Sequence, residues 1–258
     1  MPADDASTTE NRLARVALFA TCVVNALRPR AAEAALRLLQ HAGCAVAVPE
    51  QGCCGQPAFN TGFEEEAQRI GAALLETFSG FDVVVAPSAS CAGMMRNHLP
   101  GLFPSDSEER RLAEALAART FELCAFLQRL GAAPLAREWR GGPVVWHDSC
   151  ASLREVPMTD AALSLLRQVP GLELLLPEEE ARQTCCGFGG LFSIKQPELS
   201  TEMGRRKLTA FMAAAGKEPV VVTGPDMGCL SHLQAVAEAA NLPVRVMHVA
   251  EILAGEAP

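Results

Sequence analysis

The stretches VVVAPSASC (83–91) and VVVTGPDMGC (220–229) follow one plan. Each is a short run of valines that meets a proline and then reaches a cysteine. Branched apolar runs of this length, bounded by turn formers, mark buried strands. The cysteine therefore stands just past the C-terminal end of a strand. Two further runs do the same: VALFATC (16–22) ends at Cys22, and PVVWHDSC (143–150) ends at Cys150. Between the members of each pair lies an adjacent cysteine couple followed by glycine. These are EQGCCGQPAFNTG (50–62), with Cys53, Cys54 and Gly55, and QTCCGFGG (183–190), with Cys185, Cys186 and Gly187. The spacings agree: 31 residues from Cys22 to Cys53 against 35 from Cys150 to Cys185, and 37 from Cys54 to Cys91 against 43 from Cys186 to Cys229. Eight of the ten cysteines thus form two quartets of one pattern.

The segments around these runs alternate. In the first half, strands are expected at 16–22, 44–50 and 81–88, and helices at 28–43, 62–80 and 107–131. The second half repeats the order, with strands at 143–150, 171–179, 219–226 and 244–250. Its helices are expected at 158–169, 197–216 and 230–242. Proline near the start and Gly43 at the end frame the 28–43 helix, and an acidic first turn suits the dipole of the 62–80 helix. Strands alternating with helices imply parallel sheets joined by right-handed crossovers. The expected fold is α/β, in two similar halves, each a small, mainly parallel sheet flanked by helices. AAPLAREWRGG (132–142) has the composition of a linker. The chain is accordingly divided into an arm (1–12), a first domain (13–138) and a second domain (139–258).

Composition narrows the function. With 258 residues, 49% hydrophobic and 20% charged, the chain has ample material for a core. A net charge of −8 argues against a nucleic-acid or anionic-membrane surface. No apolar run reaches membrane-spanning length, and the N-terminus lacks a signal-peptide pattern. The expected location is the cytoplasm, where disulfide frameworks are rare, so ten cysteines point to metal binding or redox chemistry.

In an open parallel sheet the C-terminal strand ends share one edge, where ligands bind. The fold is therefore expected to gather Cys22, Cys53, Cys54 and Cys91 at one place, and Cys150, Cys185, Cys186 and Cys229 at another. Four soft sulfur donors select zinc or an iron–sulfur cluster. Structural zinc sites commonly use short CxxC knuckles, and neither quartet has one. Adjacent cysteines diverge from a short backbone span and suit two iron atoms of one cluster better than one small ion. The glycine that follows can take positive φ and bring its amide close to sulfur. The reading favours a cluster in each half, with zinc in one half left open.

The pattern Cys-x(about 30–40)-Cys-Cys-Gly-x(about 35–40)-Cys, occurring twice, resembles the cysteine-rich CCG domain pair. That family includes the heterodisulfide reductase B subunit and the C-terminal part of the glycolate oxidase iron–sulfur subunit. The chain is most similar to its lactate-utilization protein A group. FATCVVN, CCGQPAFNTG, VVAPSASC, CCGFGGLFSIK, DMGCL and MHVAEIL carry the resemblance, from residue 16 to about 253. It implies an iron–sulfur electron-transfer subunit, acting with two partner chains in oxidising L-lactate, or a similar 2-hydroxy acid, to pyruvate. One partner would carry ferredoxin-type clusters, because this chain lacks the CxxCxxCxxxCP run. The heterodisulfide reductase pattern has a further cysteine after the last of the quartet. Here Met94 and His232 occupy those positions, so five-thiolate ligation is not available there.

Other residues are open to plainer readings. Cys44 and Cys124 fall outside the repeat and read as small buried hydrophobes. His147 is either a partner or proton carrier beside Cys150 or a hydrogen-bonded structural residue. His232 is a candidate metal ligand, though a histidine on a helix is more often structural. His41, His98 and His248 carry no motif. Met94 and Met95 are expected to pack against the site. GFGGLF (187–192) fails as a dinucleotide fingerprint, because Phe192 stands at its last position. Arg28, Arg30 and Arg154 either balance the charge of a thiolate-bound cluster, hold a carboxylate substrate, or are solvated. No catalytic residue is assigned. The competing readings are a zinc-stabilised scaffold subunit and a thiol enzyme cycling an adjacent-cysteine disulfide.

Overall fold

The computed structural model describes residues 15–216 and 219–258; the expected arm at 1–12 lies outside them. Two four-stranded sheets carry the fold. In the first, β1 (Arg15–Leu18), β2 (Ala45–Ala47), β3 (Val83–Ala86) and β4 (Thr120–Glu122) lie in the order β2-β1-β3-β4. In the second, β5 (Val144–Trp146), β6 (Leu174–Leu175), β7 (Val220–Gly224) and β8 (Val244–His248) lie in the order β6-β5-β7-β8. Every pairing is parallel. The central pairs match across the halves: Leu18 faces Val85 as Trp146 faces Thr223. The fold is α/β with duplicated halves.

The strands are short because their apolar runs are short, and helices cover them on both faces. Helix Pro29–His41 illustrates the local logic. Proline begins it, and Ala31, Ala34, Ala35, Leu38 and Leu39 recur at three- and four-residue steps and are all buried. Gly43, at φ 83°, lets the chain turn away after it.

One expected helix is corrected. The helical pattern read over 107–131 is a helix (Glu108–Ala118), then β4, then a second helix (Leu123–Arg129). Register with β3 places Thr120 opposite Val84 and Glu122 opposite Ala86. The Glu122 carboxyl group then accepts from the backbone N–H of Cys124 at 2.7 Å and of Ala125 at 3.1 Å, starting the second helix. Helical propensity runs through this segment, and the open edge of β3 overrides it.

The 132–142 connection is docked rather than loose. Backbone N–H groups of Leu135 and Ala136 both donate to the Leu253 carbonyl, at 2.8 and 3.0 Å. Trp139 is buried, and its Nε1 donates to the Gly142 carbonyl at 2.7 Å. The halves also exchange helices. Helix Val249–Leu253, which follows β8, packs on Pro29–His41 of the first half. Helix Leu123–Arg129, which follows β4, packs on Thr159–Leu166 of the second. Such reciprocity is what an isologous, two-fold-related pair makes. One continuous core results, containing Val16, Leu38 and Leu123 together with Trp146, Leu166 and Leu253.

A core shared between halves makes their stabilities inseparable. Leu253→Ala removes a fully buried side chain at the exchanged helix. It should cost about 2–5 kcal/mol and shift a single urea transition, followed by fluorescence of Trp139 and Trp146. Two separate transitions would contradict the shared core.

Candidate metal centre

All eight quartet cysteines line one cleft of about 760 Å³ between the C-terminal edges of the two sheets. The local chain path explains how. Cys22 and Cys150 begin the short helices after β1 and β5, and Cys91 and Cys229 lie in the first turns after β3 and β7. The CCG segments return across the same edge. Gly55 and Gly187 adopt φ of 87° and 95°. At Gly187 a Cβ would stand 2.4 Å from the Ser200 carbonyl oxygen, so glycine is required there by contact as well as by conformation.

Within each quartet the thiols touch. Cys22 Sγ lies 3.7 Å from Cys53 Sγ. Cys54 packs with Cys91, with Cys53 against them. In the second half, Cys150 pairs with Cys185, and Cys186 with Cys185 and Cys229. Hydrogen bonds from Cys22 and Cys54 hold the Cys53 thiol far below its ordinary range. Those from Cys150 and Cys186 do the same for Cys185. Their neighbours Cys22, Cys54, Cys150 and Cys186 are pushed up, chiefly through those same hydrogen bonds and then through burial. Packed thiols without a cation can therefore carry little charge. Four thiolates at once require a compensating metal, and the donors are soft sulfurs. The donor set thus fits a thiolate-bound metal centre. Backbone amides reinforce it: Gly55 N donates to Cys53 Sγ, Gly187 N to Cys185 Sγ and Phe188 N to Cys186 Sγ, each at 3.4 Å. All ten cysteines are free thiols. Cys124 is fully buried in the core and Cys44 is half-buried against it, both away from the cleft.

The other residues singled out in the sequence separate clearly. His147 is buried but makes no side-chain hydrogen bond. It faces Cys186 and Cys229, with one ligand atom of each of these three residues within 4.8 Å of the others. His232 turns instead to Ser200, with Nε2 3.2 Å from the Ser200 carbonyl and 3.4 Å from its hydroxyl. Met94 and Met95 are buried beside Cys54 and Cys91. Arg28 pairs with Glu251 of the other half at 3.2 Å. Arg30 is exposed, while Arg154 lines the cleft beside Cys150. His98 pairs with Glu155 across the halves at 2.8 Å. His248 caps helix Val249–Leu253, accepting from Ala250 N at 3.1 Å, while its Nε2 bonds the Pro225 carbonyl at 2.9 Å.

Sequence reading missed three groups. Asp226, just after β7, is buried and accepts from the Ser88 and Ser90 hydroxyls at 2.8 Å, from Ser90 N at 3.0 Å, and from the Ser149 hydroxyl. It fastens both sheets at the floor of the cleft. Lys207 is buried in helix Pro197–Ala215 and donates to the carbonyls of Arg182 (2.9 Å) and Thr184, fixing the approach to Cys185. Glu122 is fully buried, and burial pushes its carboxyl up to about 8. The alignment of Ser88 with Asp226 within the repeat was the one available signal; the others depend on neighbours distant in sequence.

The family described as a cysteine-rich domain, CCG, matches residues 16–96 and 144–234, which are the two halves of this cleft. The chain belongs to that family, and within it to the group of the lactate utilization A proteins. It is 38% identical over 240 residues to "Lactate utilization protein A" of Geobacillus kaustophilus, covering 93% of this chain and 98% of that protein. The protein of the same name from Exiguobacterium sp. is 38% identical over 241 residues, covering 92% and 96%. That from Bacillus licheniformis is 36% identical over 241 residues, covering 93% and 98%. Among solved structures, Picrophilus torridus aspartate racemase superposes with a TM-score of 0.35 at 10% identity, over 93% of this chain and 90% of that chain, a likeness too slight to carry an argument.

The buried Glu122 carboxyl has a thermodynamic consequence. Its protonated form is favoured in the fold, so its contribution is complete below the ordinary value of 4.5 and is lost as pH rises toward about 8. The urea midpoint of Glu122→Gln should therefore fall less than that of the unsubstituted chain between about pH 5 and 8. Equal falls would place the pH dependence elsewhere.

Proposed function

We propose that the chain takes part in lactate utilization as the iron–sulfur electron-transfer subunit of a complex. The complex oxidises L-lactate, or a similar 2-hydroxy acid, to pyruvate. Cys22, Cys53, Cys54 and Cys91 would hold one cluster, and Cys150, Cys185, Cys186 and Cys229 a second. The observation that carries this reading is the convergence of two matched thiol quartets on one cleft. The names of the relatives supply the metabolic setting. Clusters of this kind supply one-electron transfer, and oxidation of a 2-hydroxy acid to the 2-oxo acid releases two electrons and two protons. Two one-electron centres in one chain match that stoichiometry. Two partner chains complete the complex, one with ferredoxin-type clusters that take the electrons onward to an acceptor such as quinone.

The chain's own groups support the role. Gly55, Gly187 and Phe188 amides aim at thiolate sulfur, where donors tune a cluster's potential. Buried Lys207 lies close enough to Cys185, Cys186 and Cys229 to feel their charge and offsets the negative charge of the second quartet. Asp226, bound to Ser88, Ser90 and Ser149, keeps the two quartets at a fixed separation. Among the described residues no helix is long and apolar enough to cross a membrane.

Anaerobic purification and reconstitution should give brown protein with iron and acid-labile sulfide in both halves, bleached by dithionite. Cys54→Ser should lose the iron of the first half and keep that of the second. Uptake of zinc alone, with no reducible visible absorption, would instead make the chain a zinc-bound scaffold of the same kind of complex. A second outcome follows from the loop. Gly187→Ala should lower the metal content of the second half by more than Gly55→Ala lowers that of the first. Both positions have positive φ, but the Cβ at 55 would come no closer than 3.3 Å, to the Ile70 side chain, against 2.4 Å to the Ser200 backbone at 187.

A further inference from the structure

The two quartets differ in one respect that the repeat makes measurable. Phe19 N donates to the Val85 carbonyl at 2.8 Å, and His147 N donates to the Thr223 carbonyl at 2.8 Å. Phe19 and His147 therefore hold the same place, one residue beyond the paired ends of β1 and β5. Each ring also meets a phenylalanine of the covering helix: Phe19 lies 5.7 Å from Phe78, and His147 lies 6.2 Å from Phe211. Four residues before those phenylalanines stand Leu74 and Lys207, both buried. The first half thus backs its quartet with two apolar side chains. The second half puts an imidazole and an ammonium in their places.

The imidazole lacks a partner. His147 is 1% exposed, and neither Nδ1 nor Nε2 has a hydrogen bond. A buried polar group left unmatched costs about 1–3 kcal/mol, and Phe19 shows that the fold accepts an apolar ring at this place. A His147 ring nitrogen lies within 4.8 Å of Cys186 Sγ and of Cys229 Sγ, which are themselves as close to one another. Metal–sulfur bonds of about 2.3 Å and metal–nitrogen bonds of about 2.0 Å would bridge donors at about such separations. The other histidine near the second quartet, His232, is already engaged with Ser200.

We infer that the two centres are chemically different. The second is a mixed site in which His147 donates a ring nitrogen to the metal held by Cys186 and Cys229; the first is all-sulfur. His147 is then the fifth donor that His232, at the position of the fifth cysteine in the related pattern, does not provide. The inference rests on the reading of the quartets as iron–sulfur sites.

The test uses the full chain, uniformly labelled with ¹⁵N-histidine, reconstituted anaerobically with iron and sulfide and studied by pulsed electron paramagnetic resonance. A histidine nitrogen coupling to the second centre is expected, and it should vanish in His147→Phe, which installs the residue of the first half. Iron retained by the first quartet of that variant would report a folded chain. If His147→Phe does not fold, labelled His232→Gln takes its place: a retained coupling supports His147 as donor, and a lost one overturns it. Absence of any histidine coupling in the iron-loaded chain, or its survival in His147→Phe, also overturns the inference. Failure to take up iron and sulfide would appear earlier, in the metal analysis, and would overturn the iron–sulfur reading itself and this inference with it.

Discussion

The carboxylate of Asp226 lies where the C-terminal edges of the two sheets meet, and the rest of the cleft depends on its bonds. Ser88 and Ser90 reach it from the first half and Ser149 from the second. Hydrogen bonds to a charged group are worth about 1.5–3 kcal/mol each when well formed, and Asp226 and its partners are largely buried. The shared core joins the halves from behind, and this fastening joins them at the ligand edges. With it, both thiol quartets open into one space. The exchanged helices 123–129 and 249–253 serve the same end from behind, since each half completes the apolar cover of the other.

Within this frame the quartets pose an electrostatic problem. Thiols in contact cannot all ionise, because each thiolate raises the cost of the next. One low-lying thiol stands in each couple, Cys53 and Cys185, served by its neighbours and by a glycine amide. The same arrangement is ready for a cation that would let every sulfur bind as thiolate. Both halves carry this device, and their surroundings differ. Phe19 and Leu74 keep one site apolar at its back; His147 and Lys207 make the other polar and basic.

Much of this was legible in the chain itself. Cysteines at strand ends, the repeated CCG couples and the alternation of strand and helix led directly to duplicated parallel sheets and to two groups of four. The 107–131 segment was misread because β4 has no strand signature; Thr120 to Glu122 become a strand only beside β3. The 132–142 segment looked like a linker because proline, glycine and charge are local cues. Its bonds to Leu253 come from a residue over a hundred positions away, and Trp139 is buried with its backbone N–H on the Pro170 carbonyl. His232 and His147 could not be told apart by composition or spacing. One turned out to be bonded to Ser200 and the other unpartnered beside sulfur.

The sequence by itself determined the periodicity of the elements, the membership of each quartet and the glycines that let the CCG turns form, because these follow from residue type and short-range backbone preference. Tertiary structure alone decided that both quartets share one cleft, that Asp226 joins the sheets, that Lys207 lies buried behind the second quartet and that the halves exchange helices. Those facts depend on which surfaces meet between segments well separated in the chain, 25 residues from Lys207 to Arg182 and 138 from Asp226 to Ser88, and burial and hydrogen bonding at such distances leave no periodic trace in the order of the amino acids.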